Sequence, residues 1–391
     1  MNYNNPVPER TRGVIRFTLS VLFILFTFFY LYRIQGDLLA EAQFVFSKGV
    51  TTYHRLIGAV IITAVLYLLQ WIVNLLTRVP NRWYALTFFP SFLTLTVLTD
   101  INTKILDDFS FGNWTWIYPV LMVLFFVLMF FLSNMPPENT DDADGTMASF
   151  LWPNYLTMAA MIAVSASIQG TNDVYHYELR AETLIMEGEY QEAAKVGATS
   201  LVTSPRLTEL RAYALSKDGK LGDMLFTYPL DSAGKQLILI GDSMTHHRFT
   251  YQDICKELGA KCGRNIHTSS GYLKVMVAND TLKHKDEKRL ADYYLCTLLM
   301  EKNLSVFADS LMAMRIFSDS LTSKYKDMPR AYREAAFLAQ NHLIDYIDEE
   351  MEQRYDEYCK LRDSYDDAVE RKNYLRRQFG DTYWWYFDYV K

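Results

Sequence analysis

The run Leu237-Ile-Leu-Ile-Gly241-Asp242-Ser243-Met244 carries an apolar stretch into Gly-Asp-Ser, a setting in which Ser243 would stand as a nucleophile. A serine of that kind needs a base, normally a histidine oriented by an acid. The nearest downstream pair is Asp280-x-x-x-His284. A second group, His246, His247, Cys255, Cys262, His267 and His284, has residue types that suit zinc, but its spacings match no paired-cysteine ligand pattern. No metal and no cofactor is therefore expected. Two acidic pairs complete the set: Asp107-Asp108, and Asp37 with Glu41.

The Gly-Asp-Ser block resembles the first block of the SGNH/GDSL hydrolases, and that resemblance implies Ser243 as nucleophile. The family supplies Asp-x-x-His late in the chain, and no such tetrad follows Ser243. Its fold also alternates strands with helices, whereas the sequence after Ser243 has helical period. The acidic pairs, read together with a helical C-terminal region, are similar to those of membrane glycosyltransferases. These two enzyme readings form the alternative to the one reached below.

The elements that must position any such site divide sharply by charge. Residues 1–172 carry nine Lys/Arg and ten Asp/Glu, and residues 173–391 carry thirty and thirty-five. The net charge of −6 excludes a basic nucleic-acid footprint. Residues 17–32, 56–77, 83–99, 109–137 and 146–172 contain no charged side chain. About 20 apolar residues cross the hydrocarbon core, so these runs predict five spans, about 14–34, 56–77, 83–99, 114–133 and 149–169. The third is the shortest and is interrupted by Pro90. Arg10, Arg12 and Arg16 in the tail and Arg78 and Arg82 in the second loop place the N-terminus in the cytoplasm. Five crossings then place residues 173–391 outside, in the periplasm of a bacterium with this protein in its inner membrane. All four cysteines lie in that half, where disulfides are permitted. They allow three full pairings, and Cys255 with Cys262 is the pair that a turn at Gly259 would bring together.

After Gly170 the pattern becomes helical. Tyr177 is a bulky aromatic early in a first helix, Gly188 a turn, Tyr190 an aromatic two residues on, Ala193 a small residue where two helices cross, and Pro205 the end of the unit. This spacing resembles a tetratricopeptide (TPR) repeat in residues 174–207, with departures that include Gly197 where Phe is usual. On that resemblance Ala194, one position round from Ala193, faces a less crowded side. A degenerate copy follows: Gly219-Lys-Leu221 echoes Gly188-Glu-Tyr190, and Pro229 echoes Pro205. A third hairpin-like unit spans Leu290–Met314. The outline of the chain also resembles uncharacterised polytopic membrane proteins of Bacteroidota-type genomes with a C-terminal TPR-like domain, a likeness that implies no activity.

The tail reads as one long amphipathic helix through Ile344, Met351, Tyr358, Tyr365 and Tyr374, stopped by Gly380. Tyr383-Trp-Trp-Tyr-Phe387-Asp-Tyr389 follows, read either as a plug folded onto the last helices or as an outward docking segment. The expectation is thus an all-α chain: a five-helix transmembrane bundle (1–172), TPR-like repeats (173–232), an irregular connector (233–285) and a helical C-terminal region (286–391). The function this implies is a non-enzymatic scaffold, embedded in the bilayer, that binds a protein or peptide on its helical-repeat surface in an envelope assembly.

Overall fold

The computed structural model describes residues 9–77, 79, 81–101, 113–134, 147–168, 173–230, 237–238, 248–258, 269–278, 284–314, 328–339 and 348–390. Among these residues the chain is all-helical, with 18 α-helices and no strand. It divides into two compact units, Met1–Asn172 and Asp173–Lys391.

In the first unit, α1 (Glu9–Phe29) runs through a π-turn at Tyr30–Ile34 into α2 (Gly36–Phe46). Then come α3 (Arg55–Thr77), a 3-10 stretch Asn81–Phe88 leading into α4 (Phe89–Thr99), α5 (Trp114–Ser133) and α6 (Met147–Ser167). Among the described residues three helices are long and apolar enough to cross a membrane: Gly13–Ile34, Arg55–Thr77 and Trp114–Ser133, of 22, 23 and 20 residues. The third charge-free run is helical throughout, but only its second half is α-helix, with Pro90 in the first turn, where a missing N–H costs nothing.

Side chains on α1, α3, α5 and α6 divide into an outward apolar face and an inward mixed one. Phe17, Leu25, Ile61, Leu76, Phe130 and Leu156 are exposed, while no large apolar residue between Asn81 and Thr99 is. The third run is therefore wrapped by its neighbours. Its contacts inward are hydrogen bonds as well as packing. Gln70 donates to Tyr84 (3.2 Å) and Thr87 (3.0 Å), Asn154 accepts from the Ala85 N–H (2.7 Å), Ser91 donates to the Leu66 carbonyl (2.7 Å) and Thr96 to Ser165 (3.2 Å). Polar pairs of this kind hold apolar helices in register where burial alone gives no direction.

The second unit comprises α7 (Asp173–Glu187), α8 (Tyr190–Lys195), α9 (Pro205–Lys217), α10 (Leu221–Met224), α11 (Tyr251–Glu257), α12 (Ser269–Ala278), α13 (His284–Met300), α14 (Leu304–Met314), α15 (Arg330–Ala339), α16 (Glu349–Asp363), α17 (Ala368–Phe379) and α18 (Tyr383–Tyr389). One turn recurs three times. After α7, Glu189 N–H bonds Leu184 O (2.9 Å) and Gly188 N–H bonds Ile185 O (3.1 Å). After α9, Lys220 and Gly219 repeat it on Leu215 and Ser216, and after α13, Asn303 and Lys302 repeat it on Leu298 and Leu299. This paired pattern is a Schellman cap and requires a left-handed residue at its corner. Gly188 (φ 83), Gly219 (φ 72) and Lys302 (φ 58) supply it.

The hairpins so closed are unequal, because α8 has six residues and α10 four. They share one core built on Leu184, Ala193, Leu210, Leu225, Leu295, Phe307 and Tyr332. The tail departs from the single helix expected of it. It breaks between Asp363 and Ala368, where the Asp367 carboxylate accepts the N–H groups of Val369 and Glu370, both at 2.8 Å. A capping acid of this type starts a new helix more favourably than it continues an old one. The stacked rings of Tyr365 and Tyr374, 4.6 Å apart, close the hairpin that results.

Candidate functional site

The site is assembled around a buried arginine. Arg211, on α9, is fully buried, and among the described residues no carboxylate faces it. Its guanidinium donates to the carbonyls of Ala194 (3.1 Å), Val196 (2.9 Å) and Pro229 (3.1 Å) and lies 4.8 Å from the Tyr228 ring centre. Burial lowers its pKa to about 10, so it remains charged at neutral pH. Those carbonyls belong to two separate segments, the end of α8 and the stretch after α10. Arg211 ties them together, and an unpaired buried charge would be costly without them.

Beyond this clamp opens a cleft of about 820 Å³. One wall is the turn Ala198–Leu201 with Tyr228, Pro229 and Leu230, and the other is α17 and α18. Three cations from α17 line it, Lys372, Arg376 and Arg377. All three side chains are exposed, and none makes an ion pair among the described residues. Arg376 lies 5.5 Å over the Trp385 ring, a cation–π contact that does not use its N–H groups. The single lining acid, Asp381, is engaged by Arg330 at 2.9 Å. Among the described residues Trp385 Nε1 is a buried donor without a hydrogen-bond partner.

The aromatic run supplies both the anchor and the wall. Tyr383, Trp384 and Tyr386 turn inward and are buried. Glu334 accepts the Tyr383 N–H (2.6 Å), Trp384 Nε1 donates to the Glu334 carbonyl (3.0 Å), and Tyr386 donates to the Met300 carbonyl (2.9 Å). Lys302 donates to the Phe387 and Val390 carbonyls, at 2.7 and 2.5 Å, at the open end of α18. Burial raises the Glu334 carboxyl above its usual range, and Arg330 opposes that shift. Trp385 and Tyr389, one turn apart and stacked at 6.1 Å, turn toward the cleft instead. The run is thus folded onto the last helices on one face and lines an open surface with the other.

The residues singled out from sequence fall in two groups. Tyr177 is half-buried, Gly188 closes the first turn, Tyr190 packs edge-on to Tyr213 at 6.3 Å, Ala193 is buried and Pro205 opens α9. They shape the hairpins and do not line the cleft. Ser243, Asp242, Asp280, His246, His247, Cys262, His267, Asp107 and Asp108 lie outside the described residues, and His284 opens α13. Cys255 is buried on α11, and burial pushes the Cys296 thiol well above its ordinary range, which keeps it protonated and poorly nucleophilic. Of the acidic pairs, Asp37 is bound by Arg55 and Glu41 is buried one turn further along α2. Among the described residues no three His, Cys, Asp or Glu side chains are grouped to hold a metal ion.

Arg211, Lys372, Arg376 and Arg377 carry no signal that sequence reading used. Arg211 interrupts an otherwise apolar helix face, and Lys372 and Arg376 share a helix face by their spacing of four. Those two features are the trace they leave in the sequence.

Residues 231–390 match the family model DUF6057, a family of unknown function. That match takes in α11 to α18, and so the basic and aromatic wall, but not Arg211 or the Ala198–Leu201 turn. Comparison with curated proteins finds no match, and comparison with solved structures finds none.

Proposed function

We propose that this chain is a membrane-embedded scaffold whose second unit binds a protein or peptide in the cleft between the Ala198–Leu201 turn and α17–α18, as part of an envelope assembly. The observation that carries the reading is the cleft itself: cations that have no counter-ion among the described residues, beside aromatic faces, in a wall held by Lys302 and Glu334. Concave, partly apolar surfaces with a few convergent polar groups are where ligands bind. The three like-built hairpins support a TPR-like solenoid, although α8 and α10 are shorter than the second helix of a full repeat.

Five crossings, with the N-terminus inside, complete the proposal. At 3-10 and α-helical rise the stretch Asn81–Thr99 extends roughly 32 Å, about the hydrocarbon thickness. Side-chain pairs support an up-and-down order. Arg16 lies 5.1 Å over the Tyr84 ring, and Thr18 bonds Tyr155 (2.7 Å), near the starts of their segments. Tyr30 meets Thr99 (3.4 Å) at the far ends. One end of the unit then carries Arg16 and Arg82, and the other carries Asp37, Glu41 and Asp100 with Arg55, an asymmetry that favours the basic end in the cytoplasm.

A fluorophosphonate probe distinguishes scaffold from hydrolase. The scaffold reading expects no labelling of the purified protein, and labelling that Ser243→Ala abolishes would replace it with an enzyme.

A further inference from the structure

We propose that the cleft takes an extended acidic peptide, with two carboxylates at alternate positions seated on Lys372 and Arg376. This rests on the scaffold reading above and names the chemistry of its partner. Lys372 and Arg376 are one helical turn apart on α17 and line the same wall, so their stems stand about 5–6 Å apart at the surface. Alternate side chains of an extended chain lie on one side about 6.6–6.8 Å apart, close enough for flexible cationic side chains to reach both carboxylates. Arg377, also lining the cleft, adds a third positive charge.

The remaining lining suits a peptide better than a small anion. Arg376 lies 5.5 Å from the Trp385 ring centre and makes no ion pair among the described residues, so its guanidinium is open to the bidentate contact that a carboxylate makes. Trp385 and Tyr389 line the same wall and give the peptide an aromatic surface to lie against. Leu201 stands on the opposite wall with 72% of its surface exposed, an apolar contact between the two polar edges. The whole second half of the chain carries an excess of five acidic residues, so this is a local reversal of charge rather than a basic domain.

The test uses the full chain in phosphatidylcholine nanodiscs. A library of random ten-residue peptides is selected against it, and fluorescein-labelled winners are titrated by polarisation. Selected peptides should carry Asp or Glu two positions apart, and Gln in their place should weaken binding about tenfold per carboxylate. Arg376→Glu should weaken binding at least as much and select Lys or Arg at the facing position. Trp385→Phe keeps a ring under Arg376 and should cost only a few-fold, which separates lost recognition from lost folding; unchanged melting of both variants checks the same point. Peptides selected with no acidic preference would overturn this inference and leave the scaffold reading standing. Acidic peptides that bind Arg376→Glu undiminished would also overturn it. Charge-dependent binding to phosphatidylglycerol vesicles in place of peptides would assign the cations to lipid and overturn it as well. If no peptide or protein binds under any condition, both readings fail.

Discussion

The ring of Tyr177 occupies the space that a side chain at Gly197 would need. A Cβ at position 197 would lie 2.9 Å from Tyr177 Cδ2, and the backbone there is left-handed, with φ 66. The turn after α8 is therefore built on an aromatic from α7 and a residue with no side chain, and from there the chain passes into the cleft wall at Ala198–Leu201.

This pair gives a graded prediction. Gly188 (φ 83) has nothing within 4 Å of a built Cβ, so Gly188→Ala costs only backbone strain, about 1 kcal/mol. Gly197→Ala adds the clash and should cost about 2–4 kcal/mol. Thermal melting of the full chain in detergent should rank them in that order, and Tyr177→Leu should recover part of the Gly197→Ala loss. Equal effects would mean that the ring yields freely.

Overpacking the first hairpin tests a second contact. Ala193 and Ala194 are 1% and 3% exposed and belong to the same core, so the less crowded side expected at Ala194 does not exist. Either alanine changed to Leu should cost about 1–3 kcal/mol. Glu192→Leu is the outward control, since that side chain is 60% exposed, and it should shift the melting temperature little. A neutral Ala193→Leu would mean that α8 is not pressed between α7 and α9.

Much of this hairpin could be read from sequence because its determinants are local. Gly188 marks a left-handed corner, Ala193 a close approach, and Pro205 the opening of a helix. Three of the five charge-free runs were legible for the same reason, since length and missing charge suffice for the three long apolar helices. The cleft was not legible. Arg211 acquires its role only when the end of α8 and Pro229 are brought to it from 17 and 18 residues away. Trp385 and Tyr386 are neighbours in an aromatic run, and only the anchoring by Glu334 and Lys302 decides which faces outward. The break at Asp367 was hidden by helical spacing that continues on both sides of it.

Stability should also respond to pH through Asp292. Burial raises its pKa to about 6, although Tyr332 donates a hydrogen bond to it at 3.0 Å. The native state thus holds this proton to higher pH than the unfolded chain does. Its contribution costs nothing below about pH 4, where both states are protonated, and reaches its full cost above about pH 6. Asp292→Asn keeps the acceptor for Tyr332 and removes the charge. It should raise the melting temperature at pH 7 by a few degrees and leave it unchanged at pH 4. A loss of stability at pH 7 would show that the ionised carboxylate is needed.

Membrane orientation has a direct readout. A C-terminal alkaline phosphatase fusion should be active and a C-terminal green fluorescent protein fusion dark, as five crossings from an inside N-terminus require. The reverse result would mean that one of the five segments, foremost Asn81–Thr99, does not cross, and the cleft would then face the cytoplasm.

Whether the cleft binds a partner can be read by site-specific photo-crosslinking in growing cells. A photoreactive residue replaces Leu201, in the cleft wall, or Met186, which is 54% exposed but outside it. A discrete adduct is expected from position 201, none from 186, and its loss when Arg376→Glu is added. The same adducts from both positions, or none from position 201, would contradict binding in the cleft.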